Sequence, residues 1–281
     1  MRIRFLDIEP ELQPFVARTW ICESEVGLPP TDVSVVAPNG CAKLIVPIEN
    51  ALISVTPERG VLVSRAGGFF FVGNRDSATH VYTTAQPTAF IGVEFVPHGV
   101  FPLFGVPMAE TTNYLLECEN VFDRWGKVVG ESLGNIVGLE EKAAFLQRQL
   151  VERLSHGPRT SALVAHAVEL LHASDGLLPI RHLERESGYS RRYLTMMFNR
   201  HVGLPPKALA RIFRFQRIYR HWATGASFEL LKSAAYDSYY DQPHFTREFK
   251  RMTSYSPRSY MREVPNEFGR TLAAAELLRA S

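Results

Sequence analysis

The chain has 281 residues, with 31 Lys and Arg against 29 Asp and Glu and a net charge of +2 at pH 7. This length predicts about two domains of the usual ~100–200 residues. No run of ~18 apolar residues occurs, which argues against a transmembrane helix. The N-terminal sequence MRIRFLDIEPELQPF turns acidic too soon for a secretory signal, so we expect neither a leader nor membrane association.

The three cysteines, Cys22, Cys41 and Cys118, are odd in number and lie far apart in the sequence. Such spacing fits neither a disulfide framework nor a zinc site. We therefore expect reduced thiols in a cytoplasmic protein, with no cofactor.

The balanced net charge hides a difference between the two halves of the chain. Residues 1–158 carry 12 Lys and Arg against 18 Asp and Glu, whereas residues 159–281 carry 19 against 11. A basic half joined to an acidic half indicates a polyanionic partner for the basic one. Charge alone is equally compatible with a solvated surface.

The first 95 residues predict short strands separated by Pro, Gly and Asn. Runs rich in β-branched and aromatic residues at this close spacing are typical of an antiparallel barrel or sandwich. The predicted strands cover 18–23, 33–37, 42–48, 60–65, 68–74, 79–84 and 89–95.

Two helices are predicted next, at 123–136 and 140–154. The second has an apolar stripe that suits either a dimer contact or packing on the chain's own barrel. The stripe consists of Ala143, Leu146, Leu150 and Leu154.

The segment SHGPR, residues 155–159, breaks the helical pattern and coincides with the change in charge. We place a domain boundary there. Residues 1–157 are expected to form a barrel-like sensor or dimerisation domain and residues 158–264 a helical domain. Residues 265–281 are expected to form a C-terminal tail with a short helix.

The helical half begins with an apolar stripe over residues 164–171, and a short second helix begins at Ile180 and ends at Gly188. Ser190 is then well suited to cap the next helix, RRYLTMMFNRHVG, which buries Leu194 and Phe198. The helix that follows, at 207–222, is ~24 Å long at ~1.5 Å per residue.

The same unit then occurs a second time. A short apolar helix precedes Asp241, and the helix QPHFTREFKRM buries Phe245 and Phe249 with Arg247 on the opposite face. A short helix, a tight turn and a basic-faced helix form a helix-turn-helix, whose second helix suits the major groove of DNA. Two linked units are expected to read two adjacent major-groove segments of double-stranded DNA, ~34 Å apart. The apolar side of the second short helix consists of Leu230, Leu231, Ala234 and Ala235.

The strings GYSRRYLTMMFNRHVGLPPKALARIFRFQRIYR and YYDQPHFTREFKRMTSYSPRSY resemble the two halves of the AraC/XylS-type DNA-binding domain. The resemblance covers about 160–263, and its elements occur together in the right order. The strings VVAPNGCAKLIV and IGVEFVPHGVFPLFGVP resemble, more loosely, the barrel-like sensor domain of one branch of that family. The sequence departs from the family pattern at Glu184, Ser187, Ser233 and Ser238.

The resemblance implies an α+β protein with a cupin-like antiparallel β barrel or sandwich, flanking helices and an all-α double helix-turn-helix. It implies a sequence-specific transcription regulator controlled by a small-molecule effector, with RNA polymerase and a second copy of the chain as further partners, working on the nucleoid. Arg pairs with guanine and Gln with adenine, and Met offers apolar contact to thymine. The base-facing positions that the resemblance implies are Arg191, Arg192, Thr195, Met196, Gln242, Pro243, His244, Thr246 and Arg247.

Other charged residues of this half are assigned different roles. Lys250, Arg251 and Arg258 are expected to contact phosphate or to be solvated. At least two of the three arginines on the linker helix are expected to lie on a solvated face with intramolecular ion pairs. These are Arg211, Arg214 and Arg217.

The first half gives weaker functional signals. A cupin-type metal site needs close His and carboxylate ligands, and this half has only His80 and His98 before the boundary segment 155–159, so we expect no metal and no enzyme activity. An alkyl-acceptor DNA-repair enzyme would need a cysteine cluster that the sequence lacks. A protein-interaction module without a ligand stays open as the alternative to a sensor. Five aromatic residues suit a cavity lining or a barrel core: Trp20, Phe69, Phe71, Tyr82 and Phe95.

Overall fold

The computed structural model describes residues 1–28, 32, 34–223, 225, 238–262 and 266–277. Antiparallel sheets make up the first half and helices the second, which confirms the predicted α+β class. The short helix predicted around Leu230 and Ala235 lies outside the described residues. Within these ranges, no helix is long and apolar enough to cross a membrane.

The described part of the chain contains strands β1 (Arg2–Leu6), β2 (Val16–Ser24), β3 (Val35–Val36), β4 (Lys43–Glu49), β5 (Leu52–Thr56), β6 (Gly60–Ser64), β7 (Phe70–Val72), β8 (Thr79–Tyr82), β9 (Thr88–Phe95) and β10 (Leu115–Glu117). One sheet has the order β1-β2-β9-β4-β7-β10, and the other has the order β3-β8-β5-β6. The sequence analysis does not predict β1, β5 or β10. β1 alternates arginine with apolar residues, and it is held by pairing along its whole length with β2.

The helices are α1 (Phe101–Phe104), α2 (Cys118–Asn135), α3 (Leu139–Leu154), α4 (Ala162–Ala173), α5 (Ile180–Ser187), α6 (Arg191–His201), α7 (Pro206–Ala223), α8 (Gln242–Thr253), α9 (Pro257–Arg262) and α10 (Glu267–Leu277). Single 3-10 turns occur at Pro10–Leu12 and Met108–Thr111. Helix α2 is interrupted at Asp123, whose φ of 48° and ψ of −131° are not helical. Its main part therefore begins where the sequence predicts a helix.

Strand β9 is the centre of the six-stranded sheet, and all its residues are buried. Because side chains alternate along a strand, Ile91, Val93 and Phe95 face one side of the sheet and Phe90 and Glu94 the other. The first side packs on α2 and α3. The apolar stripe of α3 is part of this core, so it packs on its own sheet and does not supply a dimer contact.

On the opposite side of the sheet, Glu94 lies between two cations from neighbouring strands. The register pairs Glu94 with Arg18 on β2 and with Lys43 on β4. Arg18 Nε donates to Glu94 Oε1 at 2.8 Å, and Lys43 Nζ lies 3.2 Å from Oε2. Burial would raise the pKa of Glu94, but Arg18 and Lys43 outweigh it and lower the pKa from 4.5 to about 2.

The C-terminal helix α10 packs back against the first half. Phe268 contacts Phe90, with 6.5 Å between ring centroids, and Arg18 Nη1 donates to the Leu272 carbonyl at 2.8 Å. Just before the helix, the Asn266 side chain exchanges two hydrogen bonds with the backbone of Val35. Residues of α10 thus form one wall of the space beside the sheet. The domain boundary at 157/158 remains a prediction.

A loop at residues 73–78, here called the linking loop, joins the first half to the ends of two helices. Asn74 Nδ2 donates to the Val202 carbonyl at the C-terminal end of α6. Asp76 forms an ion pair with Arg251 of α8, and Arg251 Nε also donates to the Asp76 carbonyl at 3.1 Å. One short loop thus fixes α6 and α8 from the side of the first half.

We expect Glu94→Gln to lower the free energy of unfolding at pH 7 by about 3–5 kcal/mol, because the buried Arg18 and the half-buried Lys43 lose their anion. The pKa of Glu94 is lower in the folded chain. Its contribution is therefore complete above pH 4.5 and is lost as the pH falls through about 2. Urea unfolding at several pH values measures the difference between variant and wild type. The exposed Glu25→Gln is the matched control, and equal stability of Glu94→Gln and wild type at pH 7 would contradict the assignment.

Candidate nucleic-acid interface

The first helix-turn-helix unit is formed by α5, a turn and α6. Gly188 ends α5 in the left-handed conformation at φ 70°, which favours glycine. Ser190 caps α6 as predicted, because its hydroxyl accepts from the Tyr193 amide. Leu194 and Phe198 are fully buried against the other helices of this half. Packing on one side therefore sets the direction in which the outer side of α6 points.

The two family departures in this unit are accommodated by local bonds. Glu184 forms an ion pair with Arg191, whose Nε lies 2.6 Å from Glu184 Oε1. The Ser187 hydroxyl donates to the Leu183 carbonyl at 2.6 Å and accepts from the Tyr189 amide at 3.3 Å. The short helix thus forms in spite of both polar substitutions.

The four residues predicted on α6 differ in their surroundings. Arg192 is exposed, Thr195 is half-buried and Met196 is 55% exposed. Arg191 is also exposed, but its ion pair with Glu184 already partly neutralises it. Arg192 is thus the predicted cation of α6 that is left available to a polyanion.

Two tyrosines of this surface were missed by the sequence analysis. Tyr189 and Tyr193 stack with 4.6 Å between ring centroids and are partly exposed beside Arg192. The signal was available, because Tyr193 and Met196 are three residues apart and share a face of the helix. Tyrosine hydroxyls are common donors to phosphate, so the pair extends the candidate surface.

The second unit presents α8 in the same way. Asp241 caps the helix by accepting from the His244 amide at 2.7 Å. Phe249 is buried against Phe215 of α7, while Gln242, Pro243 and Arg247 are exposed. The described residues of this unit therefore place the predicted polar residues on the outer side of α8.

The other two predicted residues of α8 are half-buried. The His244 ring packs on Tyr239 with 5.4 Å between centroids, which favours a packing role for its imidazole, and Thr246 is partly covered. Tyr240, which the sequence analysis did not select, is 96% exposed immediately before the cap. It occupies the position that Tyr189 has in the first unit.

One of the charged residues expected to be solvated or on phosphate has a different partner. Arg251 is exposed, as expected, but it also forms an ion pair with Asp76 of the linking loop. The sequence analysis did not predict this ion pair because Asp76 is far away in sequence. Lys250 and Arg258 are exposed, as expected.

Helix α7 connects the units and is ~27 Å long at ~1.5 Å per residue. Arg211 lies 3.6 Å from Glu248, and Arg217 lies 3.8 Å from Asp175. These contacts confirm intramolecular ion pairs for two of the three linker arginines. Arg214 donates to the Gly176 carbonyl at 2.9 Å. The linker arginines thus brace the helices.

A second candidate site is a cavity of about 110 Å³ between the two sheets, here called the inner cavity. Its wall includes Trp20 and Phe90 from the first half and Gln216 and Phe268 from the helical half. Of the five aromatic residues considered above, Trp20 lines it, Phe69, Phe71 and Phe95 belong to the core on the other side of the sheet, and Tyr82 is partly exposed.

The two histidines that precede the boundary segment, His80 and His98, have separate surroundings. His80 Nε2 lies 3.2 Å from Ser254 Oγ at the junction of the halves, and burial lowers the pKa of His98. Across the described ranges, no three His, Cys, Asp or Glu side chains are grouped to hold a metal ion.

Comparison with known proteins assigns families to two parts of the chain. Residues 183–263 match a helix-turn-helix domain, and residues 8–117 match a domain of unknown function (DUF6597). The F1 operon positive regulatory protein of Yersinia pestis is 38% identical over 81 residues, which is 28% of this chain. The chain spans only 26% of the length of that relative.

The chain also matches solved structures of low sequence identity. ToxT from Vibrio cholerae has a TM-score of 0.48 and 13% identity over 86% of this chain and 97% of its own. The AraC-like transcriptional activator CuxR has a TM-score of 0.28 and 19% identity over 82% of this chain and 90% of its own.

The motif order, the capped helices and the match at 183–263 define the class of the second half. It is a helix-turn-helix domain, and its motifs resemble those of the AraC/XylS type.

We expect Arg247→Ala to weaken binding to the specific site by about 1–3 kcal/mol and to relax the preference at one base pair, because Arg247 is exposed near the start of α8. If Arg247 contacts only phosphate, the loss will be equal on all sequences, and the salt slope will fall by about one unit. Titrations of specific and scrambled DNA at several salt concentrations measure both. The remote, exposed Arg2→Ala removes the same charge as a control. Unchanged affinity on both DNAs from folded Arg247→Ala would refute the assignment.

Proposed function

We propose that the protein is a sequence-specific transcription regulator that reads two adjacent major-groove segments of double-stranded DNA. The observation that carries the proposal is the pair of capped helices, α6 and α8, each with an exposed polar side and each braced by α7. The helix-turn-helix match over 183–263 supports the same role. The protein acts by binding, not by catalysis, in the cytoplasm on the nucleoid.

The base-reading roles on α6 follow from side-chain chemistry. Arg192 donates two hydrogen bonds to a guanine edge, and Met196 contacts a thymine methyl group. Arg191 contacts phosphate, since its ion pair with Glu184 already occupies part of its guanidinium. Thr195 supplies a hydroxyl next to them.

On α8 the exposed residues take the corresponding roles. Gln242 pairs with adenine and Arg247 with guanine. Pro243 has no amide hydrogen and fixes the start of the helix. Thr246 and His244 lie at the edge of the surface. The imidazole of His244 packs on Tyr239, so its main role is to position α8 and not to contact bases.

The first half is proposed to sense a small-molecule effector in the inner cavity. Residues from both halves line this cavity, so an occupant would contact the sensor and the DNA-binding half together. RNA polymerase and a second copy of the chain complete the proposed partners. A dimer would have to use a surface other than the buried stripe of α3.

The operator is first obtained by selecting the fragments of genomic DNA that the protein binds. Footprinting of the protein on that operator then tests whether it protects two segments. We expect two protected major-groove segments about one helical turn, ~34 Å, apart on one DNA face for each protomer. Arg192→Ala should weaken protection of one segment and Arg247→Ala that of the other, whereas Arg2→Ala should weaken neither. A single short protected segment, or equal loss from both segments in each variant, would contradict this arrangement.

A further inference from the structure

A buried arginine of the linking loop has no partner among the residues that the structure describes. Arg75 is only 8% exposed, and within the described ranges its guanidinium makes neither a hydrogen bond nor an ion pair. Glu58 acts on it only at longer range and is itself exposed, and burial lowers the pKa of Arg75. An unpaired buried charge is unfavourable for folding, so its presence calls for an explanation beyond stability.

Arg75 lines the inner cavity together with other unsatisfied polar atoms. Thr79 Oγ1 and Gln216 Oε1 line the same cavity, and both are buried without a hydrogen-bond partner. The other charged residues of the wall are Arg18, Lys43 and Glu94, which neutralise one another in part. The wall therefore has an excess of positive charge, and Arg75 is the cation to which the fold assigns no anion.

The rest of the wall is mainly apolar. Trp20, Phe90 and Phe268 contribute aromatic surface, and Ile45 and Leu52 contribute aliphatic surface. An inorganic anion would leave this surface without contacts, whereas an apolar group attached to an anion would cover it. The volume of about 110 Å³ is somewhat smaller than the cavity of about 150 Å³ that holds benzene in another protein.

We propose that the inner cavity binds a small organic monocarboxylate. Its carboxylate accepts charge-assisted hydrogen bonds from Arg75, and its apolar body, roughly four to eight non-hydrogen atoms, lies against Trp20, Phe90 and Phe268. A monocarboxylate is thus the ligand class for the effector site suggested above. Binding of the acid does not depend on the proposed function, whereas its effect on DNA affinity rests on that function.

The position of Arg75 in the linking loop indicates how a bound carboxylate would affect the two recognition helices. Its neighbours Asn74 and Asp76 hold the C-terminal end of α6 and Arg251 of α8, respectively. A carboxylate drawn to Arg75 thus acts on the loop that fixes both recognition helices.

The test uses the full chain and a panel of butanoate, hexanoate and benzoate, each beside its uncharged primary amide, with inorganic phosphate and chloride at equal ionic strength. Calorimetry and thermal unfolding measure binding. We expect at least one acid to bind saturably and to raise Tm, and its amide to bind at least about tenfold more weakly. Binding by phosphate or chloride alone, or by no acid, would overturn the proposal.

Arg75→Met separates a ligand-binding role from a structural one. It removes a buried charge without a partner while keeping an apolar side chain of similar length, so we expect Tm to rise without ligand and the response to the acid to disappear. Arg65→Met, at an exposed arginine paired with Glu117, should leave the response to the acid intact. A lower Tm for ligand-free Arg75→Met, or undiminished acid binding by that variant, would overturn the assignment.

Operator affinity measures the regulatory consequence. The bound acid should change the Kd for operator DNA about fivefold or more in wild type and leave that of Arg75→Met unchanged. No change in wild type would overturn the coupling through the linking loop. A chain that binds the acid but selects no genomic DNA would overturn the proposed function and leave the carboxylate site standing.

Discussion

The architecture of the helical half depends on the burial of α7, which is apolar over most of its circumference. Leu209 and Ile212 lie against the first half near Gly40, whereas Phe215 packs on Phe249 and Tyr219 hydrogen-bonds to Tyr260. A helix of this composition is stable only where other elements cover it. Both helix-turn-helix units, α10 and the first half meet around it for that reason.

This arrangement explains why α6 and α8 can serve as rigid recognition helices. Each is held from behind by buried aromatic and aliphatic side chains and begins at a side-chain cap, so its outer residues contribute nothing to the core. Arg192 and Arg247 are therefore available to a partner at little cost in folding stability. The linking loop adds a second constraint at the C-terminal ends of both helices.

Two buried charges beside the six-stranded sheet show how differently the fold treats them. Glu94 is neutralised by Arg18 and Lys43, and this network joins β2, β4 and β9. Arg75 lines the same cavity, and no described residue of the chain supplies it with an anion. Charges that stabilise a fold are paired within it, whereas one left unpaired points to a partner from outside.

The sequence by itself determined the elements and their chemistry wherever the signal is local. Apolar spacing located α6, α7 and α8, Ser190 and Asp241 marked two helix starts, and motif order indicated the class of the domain. Tertiary structure alone decided what lies far apart in the chain: the pairing of β1 with β2, the capture of Arg251 by Asp76, and the isolation of Arg75. Periodicity and capping involve neighbours within a few residues, but the partner of a charge depends on which distant segments the fold brings together.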